Sequence, residues 1–282
     1  MGKTSRRTRA DAGNRLAIVG LVALAVVTAG LVTAAVAPRS SEASTYTAQT
    51  FAPEPTAEPT TPTIESADLA AAAARLQDPD VGFTMTVLGD STGNDPDEWV
   101  GQLARSLNTD YSRTVLYNGW DAAAGAYAPA TLYQGSYSSQ PVTIWNGSAA
   151  GMGPDYSLAN LATLAPQPSD LLIVNHGHNF DGPNTGAGQE AELVTATAAQ
   201  WQTTPAVAIT LQNPRITTGE KQDANLATLA STLADSGYTL VDVASAFRAQ
   251  PDLAAVLRED GTHPNEAGQA LWIDTVRGVL GL

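Results

Sequence analysis

From about residue 80 onward, short apolar runs alternate with amphipathic stretches. The runs Thr84–Leu88, Val142–Trp145, Leu171–Asn175, Ala206–Leu211 and Thr239–Val243 have the length and content of strands. Glu98–Leu107, a stretch around Glu190–Trp201, Gln222–Ala234 and Glu266–Val279 have helical spacing, and residues 67–76 read as one further short helix. Strands that alternate with helices imply βαβ units and a mainly parallel sheet covered on both faces. In such sheets ligands sit beyond the carboxyl ends of the strands. Residues 110–141 break the alternation. They hold Tyr111, Tyr117, Trp120, Tyr127, Tyr133 and Tyr137 among Gly, Ala and Ser. Two readings stand: a surface excursion packed by its own aromatics, or an aromatic platform for sugar or acyl groups at the rim of a pocket.

The N-terminal pattern is different. Residues 1–15 are polar and basic, and residues 16–37 carry no charge. At helical rise that span is about 33 Å long, enough for the bilayer hydrocarbon. A retained anchor and a cleaved signal peptide compete. The span is longer than the usual signal core of about 7–15 residues. Ala35-Val36-Ala37 offers a cleavage site, but Pro38 follows it directly. Under either reading the basic flank stays inside and the rest of the chain lies outside. Residues 38–66 form a Pro/Thr-rich linker, too poor in apolar groups to offset its ordering entropy. Such a linker is an extended spacer of about 3 Å per residue. Residues 67–282 remain as the catalytic domain.

Charge narrows the partners. The formal net charge is −14, and six of the 14 basic residues lie in residues 1–39 with only one of the 28 acids. The remaining surface is strongly acidic and repels phosphate backbones, which argues against nucleic acid. The chain has no cysteine. Disulfides, thiolate metal sites and a cysteine nucleophile are therefore excluded.

Three motifs hold all three histidines and the candidate chemistry: Gly89-Asp90-Ser91, Asn175-His176-Gly177-His178-Asn179 and Asp260-Gly261-Thr262-His263. A serine becomes a useful nucleophile when a base takes its proton and a third group orients the base. Ser91 is the candidate nucleophile, His263 the base and Asp260 the orienting carboxylate. Ser91 follows the first strand, Gly147–Gly153 the second and Gly177–Asn179 the third, so three strand ends converge on one pocket. Asp90 either caps the turn after the first strand or holds the Ser91 loop. His176 reads as satisfying a buried polar partner near the strand end, and His178 as structural or rim-exposed.

Over roughly residues 83–281 these motifs resemble the SGNH, or GDSL, hydrolases. Gly89-Asp90-Ser91 matches the family's first block. Asn146-Gly147-Ser148-Ala149-Ala150-Gly151 matches its second, with the glycine role placed at Gly151 and Gly147 as the alternative. Gly177-His178-Asn179 matches the third, although Phe180 stands where the family often has Asp. Asp260 and His263 match the last, and Pro264-Asn265 and Gly268 continue it. The resemblance implies a flavodoxin-like α/β/α sandwich with a mainly parallel five-stranded sheet. It also implies hydrolysis of esters or thioesters, and no cofactor is expected. The extracellular address and the long spacer favour an O-acylated glycan or a small lipid ester over a cytosolic thioester. The oxyanion donors it implies are the N–H groups of Ser91 and Gly151 and the side-chain amide of Asn179. The alternatives are an acyltransferase or a non-catalytic glycan-binding protein on this fold, an α/β-hydrolase elbow at Gly89–Gly93, and a metal-dependent enzyme using His176, His178, Asp181 and His263.

Overall fold

The computed structural model describes residues 67–136, 139–180, 183–234 and 236–282. The expected basic flank 1–15, apolar span 16–37, linker 38–66 and Asp181 lie outside these residues. No helix of the described residues is long and apolar enough to cross a membrane.

The fold opens with α1 (Leu69–Gln77), capped by Asp68, whose carboxylate accepts the Ala70 N–H at 2.9 Å. Strand β1 (Phe83–Gly89) and helix α2 (Trp99–Tyr111) follow. Then come β2 (Val115–Asp121), the short β3 (Ala126–Tyr127) and β4 (Thr131–Tyr133), and β5 (Val142–Asn146). Helices α3 (Pro154–Ala159) and α4 (Leu161–Leu164) lead to β6 (Leu171–Asn175), α5 (Pro183–Trp201) and β7 (Ala206–Leu211). The chain ends with α6 (Gly219–Leu233), β8 (Thr239–Asp242), α7 (Val243–Arg248) and α8 (Glu266–Leu280).

The five strands expected from the sequence pair in parallel in the order β5-β1-β6-β7-β8. That is the flavodoxin-like order, with β1 at the switch point. Successive residues feed opposite faces. Met85, Val87, Leu171 and Ile173 join one core with α1, α2, α7 and α8. Leu88, Leu172, Val174, Val207 and Ile209 join the other, with α4, α5 and α6. Trp99 of α2 stacks on Trp272 of α8, ring centroids 6.1 Å apart, and seals the first layer.

Three strands exceed the expected five, one of them parallel. β2 lies inside the 110–141 segment and pairs in parallel with the far side of β5. Its Tyr-Asn-Gly-Trp-Asp run reads as a loop because its polar groups find partners only after folding. Asn118 Nδ2 donates to the Ile144 carbonyl at 3.1 Å, and the Tyr117 hydroxyl accepts from Asn146 Nδ2 at 2.8 Å. β3 and β4 return antiparallel on β2. Trp120 and Tyr127 of this segment pack together and onto β5, and the segment belongs to the sheet instead of forming the surface excursion of the first reading. Trp120, Tyr127 and Trp145 meet edge to face at 5.2 and 4.8 Å. Trp120 Nε1 donates to the Tyr156 hydroxyl at 3.0 Å, and the Tyr127 hydroxyl to the Leu164 carbonyl at 2.6 Å. The cluster buttresses the loop after β5 from behind.

Candidate active site

Parallel register brings the motif-bearing strand ends level. Gly89 pairs with Asn175, and Val87 with Asn146. The loops that begin at Asp90, Gly147 and His176 therefore leave one edge of the sheet together. Amide side chains at the ends of three strands then clamp the Ser91 loop. Asn146 Nδ2 donates to the Gly93 carbonyl at 2.7 Å, Asn175 Nδ2 to Thr92 Oγ1 at 2.9 Å, and Gln212 Nε2 to Asp90 Oδ1 at 3.0 Å.

The Asp260–His263 loop arrives from the other end of the chain. Asp260 Oδ1 accepts the backbone N–H groups of Thr262 and His263 at 2.8 and 2.9 Å, which closes the turn. Gly261 takes the left-handed conformation that the turn requires, with φ of 62°. Asp260 Oδ2 is then 2.7 Å from His263 Nδ1, and His263 Nε2 is 2.8 Å from Ser91 Oγ. A carboxylate only accepts, so Nδ1 carries the proton and Nε2 presents its lone pair to the serine hydroxyl. Partial burial pushes the Asp260 carboxyl up, but hydrogen bonds from His263 and Thr262 outweigh it and hold it down at about 2. Arg258 braces the loop. Its N–H donates to the His263 carbonyl at 2.7 Å, and its guanidinium pairs with buried Glu98 at 3.4 Å.

Gly151 and Asn179 stand on the neighbouring loops. Gly151 has φ of 74°, and no atom lies within 4 Å of where a Cβ would sit. Gly147, the alternative, packs tightly against Leu88, Tyr127 and Leu164 and has no such conformation. Asn179 Nδ2 donates to Asp90 Oδ2 at 3.2 Å and toward the Met152 carbonyl at 3.4 Å. Among the described residues, the N–H groups of Ser91 and Gly151 donate to no protein acceptor.

Asp90 serves both roles considered for it. Fully buried, it accepts the Thr92 N–H at 3.0 Å and so caps the turn, while its other oxygen tethers Asn179. Gln212 was not apparent from the sequence motifs. The only signal was a polar Gln-Asn pair directly after the fourth apolar run. Its neighbours complete the wall between the third and last motifs. Asn213 Nδ2 donates to the Thr262 carbonyl at 2.9 Å, and Arg215 Nη1 to the His178 carbonyl at 3.0 Å.

His176 and His178 are buried and structural. His176 Nε2 meets Ser157 Oγ at 3.0 Å, and burial lowers its pKa to about 4. His178 Nε2 donates to the Asn213 carbonyl at 2.8 Å, and burial lowers its pKa as well. With His263 on Ser91, the three imidazoles face three different partners. No group of three His, Asp or Glu side chains gathers in a metal-binding arrangement among the described residues.

No protein-family model matches the chain, and no curated protein matches it in sequence. Solved structures match its fold. An acetylxylan esterase, Axe2, from Geobacillus stearothermophilus aligns with a TM-score of 0.53 at 13% identity, over 71% of this chain and 94% of that one. A two-domain esterase active on acetylated mannans aligns with a TM-score of 0.55 at 15% identity, over 76% of this chain and 52% of that one. A member of the lipolytic G-D-S-L family from Veillonella parvula aligns with a TM-score of 0.50 at 14% identity, over 70% of this chain and 97% of that one. The fold is thus the three-layer architecture that the motif resemblance implies.

Proposed function

We propose that the chain is an extracytoplasmic serine ester hydrolase of the SGNH type. The observation that carries this is the hydrogen-bonded line Ser91–His263–Asp260 at the carboxyl edge of the sheet, assembled from residues 172 positions apart. Ser91 Oγ attacks the acyl carbon as His263 Nε2 takes its proton. The tetrahedral oxyanion is held by the N–H groups of Ser91 and Gly151 and by Asn179 Nδ2. The imidazolium, steadied by Asp260, then protonates the departing alkoxide. A water repeats the sequence on the acyl-enzyme and releases the acid. No cofactor takes part.

An O-acetylated glycan is the substrate class this reading favours. Two of the fold's neighbours are esterases of acetylated xylan or mannan. The uncharged span 16–37 with its basic flank supports an address outside the membrane, where such glycans occur. A small lipid ester is the second reading. Met152, on the loop of Gly151, and Ile216, whose N–H donates to the Gly261 carbonyl of the His263 turn at 2.8 Å, are exposed apolar side chains beside the site.

The test is hydrolysis of p-nitrophenyl acetate by the wild type and by Ser91→Ala and His263→Ala. Each variant is expected to remain folded and to lose on the order of 10⁴-fold or more in kcat. A folded Ser91→Ala protein with full activity would overturn the mechanism. Esters of increasing acyl length and acetylated xylan separate the two substrate classes.

A further inference from the structure

Gln212 lies at the end of β7, fully buried, and touches none of the three motif residues proposed to meet substrate. Its two amide atoms nevertheless reach Asn179 by separate routes. Oε1 accepts the backbone N–H of His178 at 2.7 Å, one residue before Asn179. Nε2 donates to Asp90 Oδ1 at 3.0 Å, and the other oxygen of that carboxylate accepts from Asn179 Nδ2 at 3.2 Å. The same Nε2 also meets Thr92 Oγ1 at 3.1 Å and the Asn175 carbonyl at 2.9 Å. The orientation of the amide is fixed, because a backbone N–H can only donate and a carboxylate can only accept. Gly177 fits the same contact. A Cβ there would come within 2.8 Å of Gln212 Oε1.

We infer that Gln212 is a positioning residue that holds Asn179 from both its backbone and its side chain; this rests on the proposed role of Asn179 as an oxyanion donor. No other side chain supplies this combination. Leucine offers neither function, asparagine is one methylene shorter, and glutamate replaces the donor with a second carboxylate against Asp90.

The experiment measures kcat and KM on p-nitrophenyl acetate for the wild type, Gln212→Leu, Asn179→Ala and the double variant. Gln212→Leu is expected to lower kcat by roughly 10–100-fold, with KM changed by less than about threefold, because the lost interaction acts in the transition state. In the Asn179→Ala background the same substitution should cost less than about twofold further. Losses that multiply in the double variant would overturn the role of Gln212 and leave the oxyanion role of Asn179 standing. An Asn179→Ala enzyme with unchanged kcat would overturn both.

Gln212→Glu keeps the shape of the side chain and covers the case in which the leucine variant does not fold. At low pH the introduced carboxyl is protonated and can still donate to the Asp90 oxygen; raising the pH removes that donor. The kcat of Gln212→Glu should therefore fall with rising pH over a range where the wild type is level. A profile parallel to that of the wild type would refute the inference.

Discussion

At the scale of single residues, the polar groups around Ser91 differ sharply in what their surroundings do to them. Asp260 is half-exposed, and three N–H donors converge on it. Two of those donors are backbone groups, so the carboxylate both closes the turn and orients the imidazole, while the Arg258 N–H braces the same loop independently at the His263 carbonyl. Asp260→Ala is therefore expected to lower kcat by roughly 10²–10⁴-fold and still to exceed Ser91→Ala in the same assay. His176 shows the opposite situation: its imidazole is buried and kept neutral, with its pKa lowered to about 4 from 6.5. In the unfolded chain it binds a proton below about 6.5, whereas in the folded one it does so only below about 4. Its contribution is complete above pH 6.5 and is lost as the pH falls toward 4. Buried Glu190, whose pKa burial raises, works in the other direction over part of this range, so the informative quantity is a difference. The Tm of His176→Gln relative to the wild type should rise as the pH is lowered from 7 to 4. A gap that stays constant with pH would show that His176 is not held neutral.

At the scale of elements, the loop from β6 to α5 departs from the usual family wording at Phe180 and replaces a polar position with an apolar plug. Phe180 is buried beneath the first turn of α5, and Gly186 lies directly over its ring with no room for a Cβ. Helix and loop thus approach more closely than any larger residue allows, and Asn179 lies next in sequence. Gly186→Val should destabilise the domain by about 1–3 kcal/mol, read from the urea midpoint, through overpacking at this contact. The short strand β3, antiparallel to β2, plays a comparable part on the other side. Its Tyr127 stands over Gly147 and fixes the entry to the loop that carries Gly151.

For the whole molecule, the question is where the independent domain begins. Helix α1 belongs to it. Leu76 is fully buried, Arg75 pairs with Asp170 at 2.5 Å, and Gln77 Nε2 donates to the Gly281 carbonyl at 3.0 Å. Arg113 ties the helix end to the sheet by donating to the Leu76 carbonyl at 2.9 Å and the Val81 carbonyl at 2.7 Å. A chain of residues 67–282 is expected to be soluble and active. One starting at residue 80 should lose at least the about 2–5 kcal/mol typical of deleting one buried leucine. Comparison of their thermal unfolding and esterase activity checks the boundary; equal stability would refute it. The proposed address is tested on intact cells, where added protease should release an active fragment by cutting within residues 45–63. Full protection of the protein inside cells would contradict an extracytoplasmic site.

Much of this was legible in the sequence. Apolar runs of strand length marked five of the six parallel strands, because a strand buried on both faces carries little besides apolar side chains. The Asp260–His263 pair was readable because its geometry is local: a turn of four residues closes on its own backbone. Tertiary structure alone decided the rest. β2 was hidden because Tyr117, Asn118 and Trp120 look like loop residues until β5 and α3 supply their partners. Gln212 was hidden because its role depends on partners 34–122 positions away, brought together only by the register of β1, β6 and β7. Local hydrogen bonds and pleat periodicity are written in neighbouring residues, whereas the partners of a buried amide are set by how the strands align.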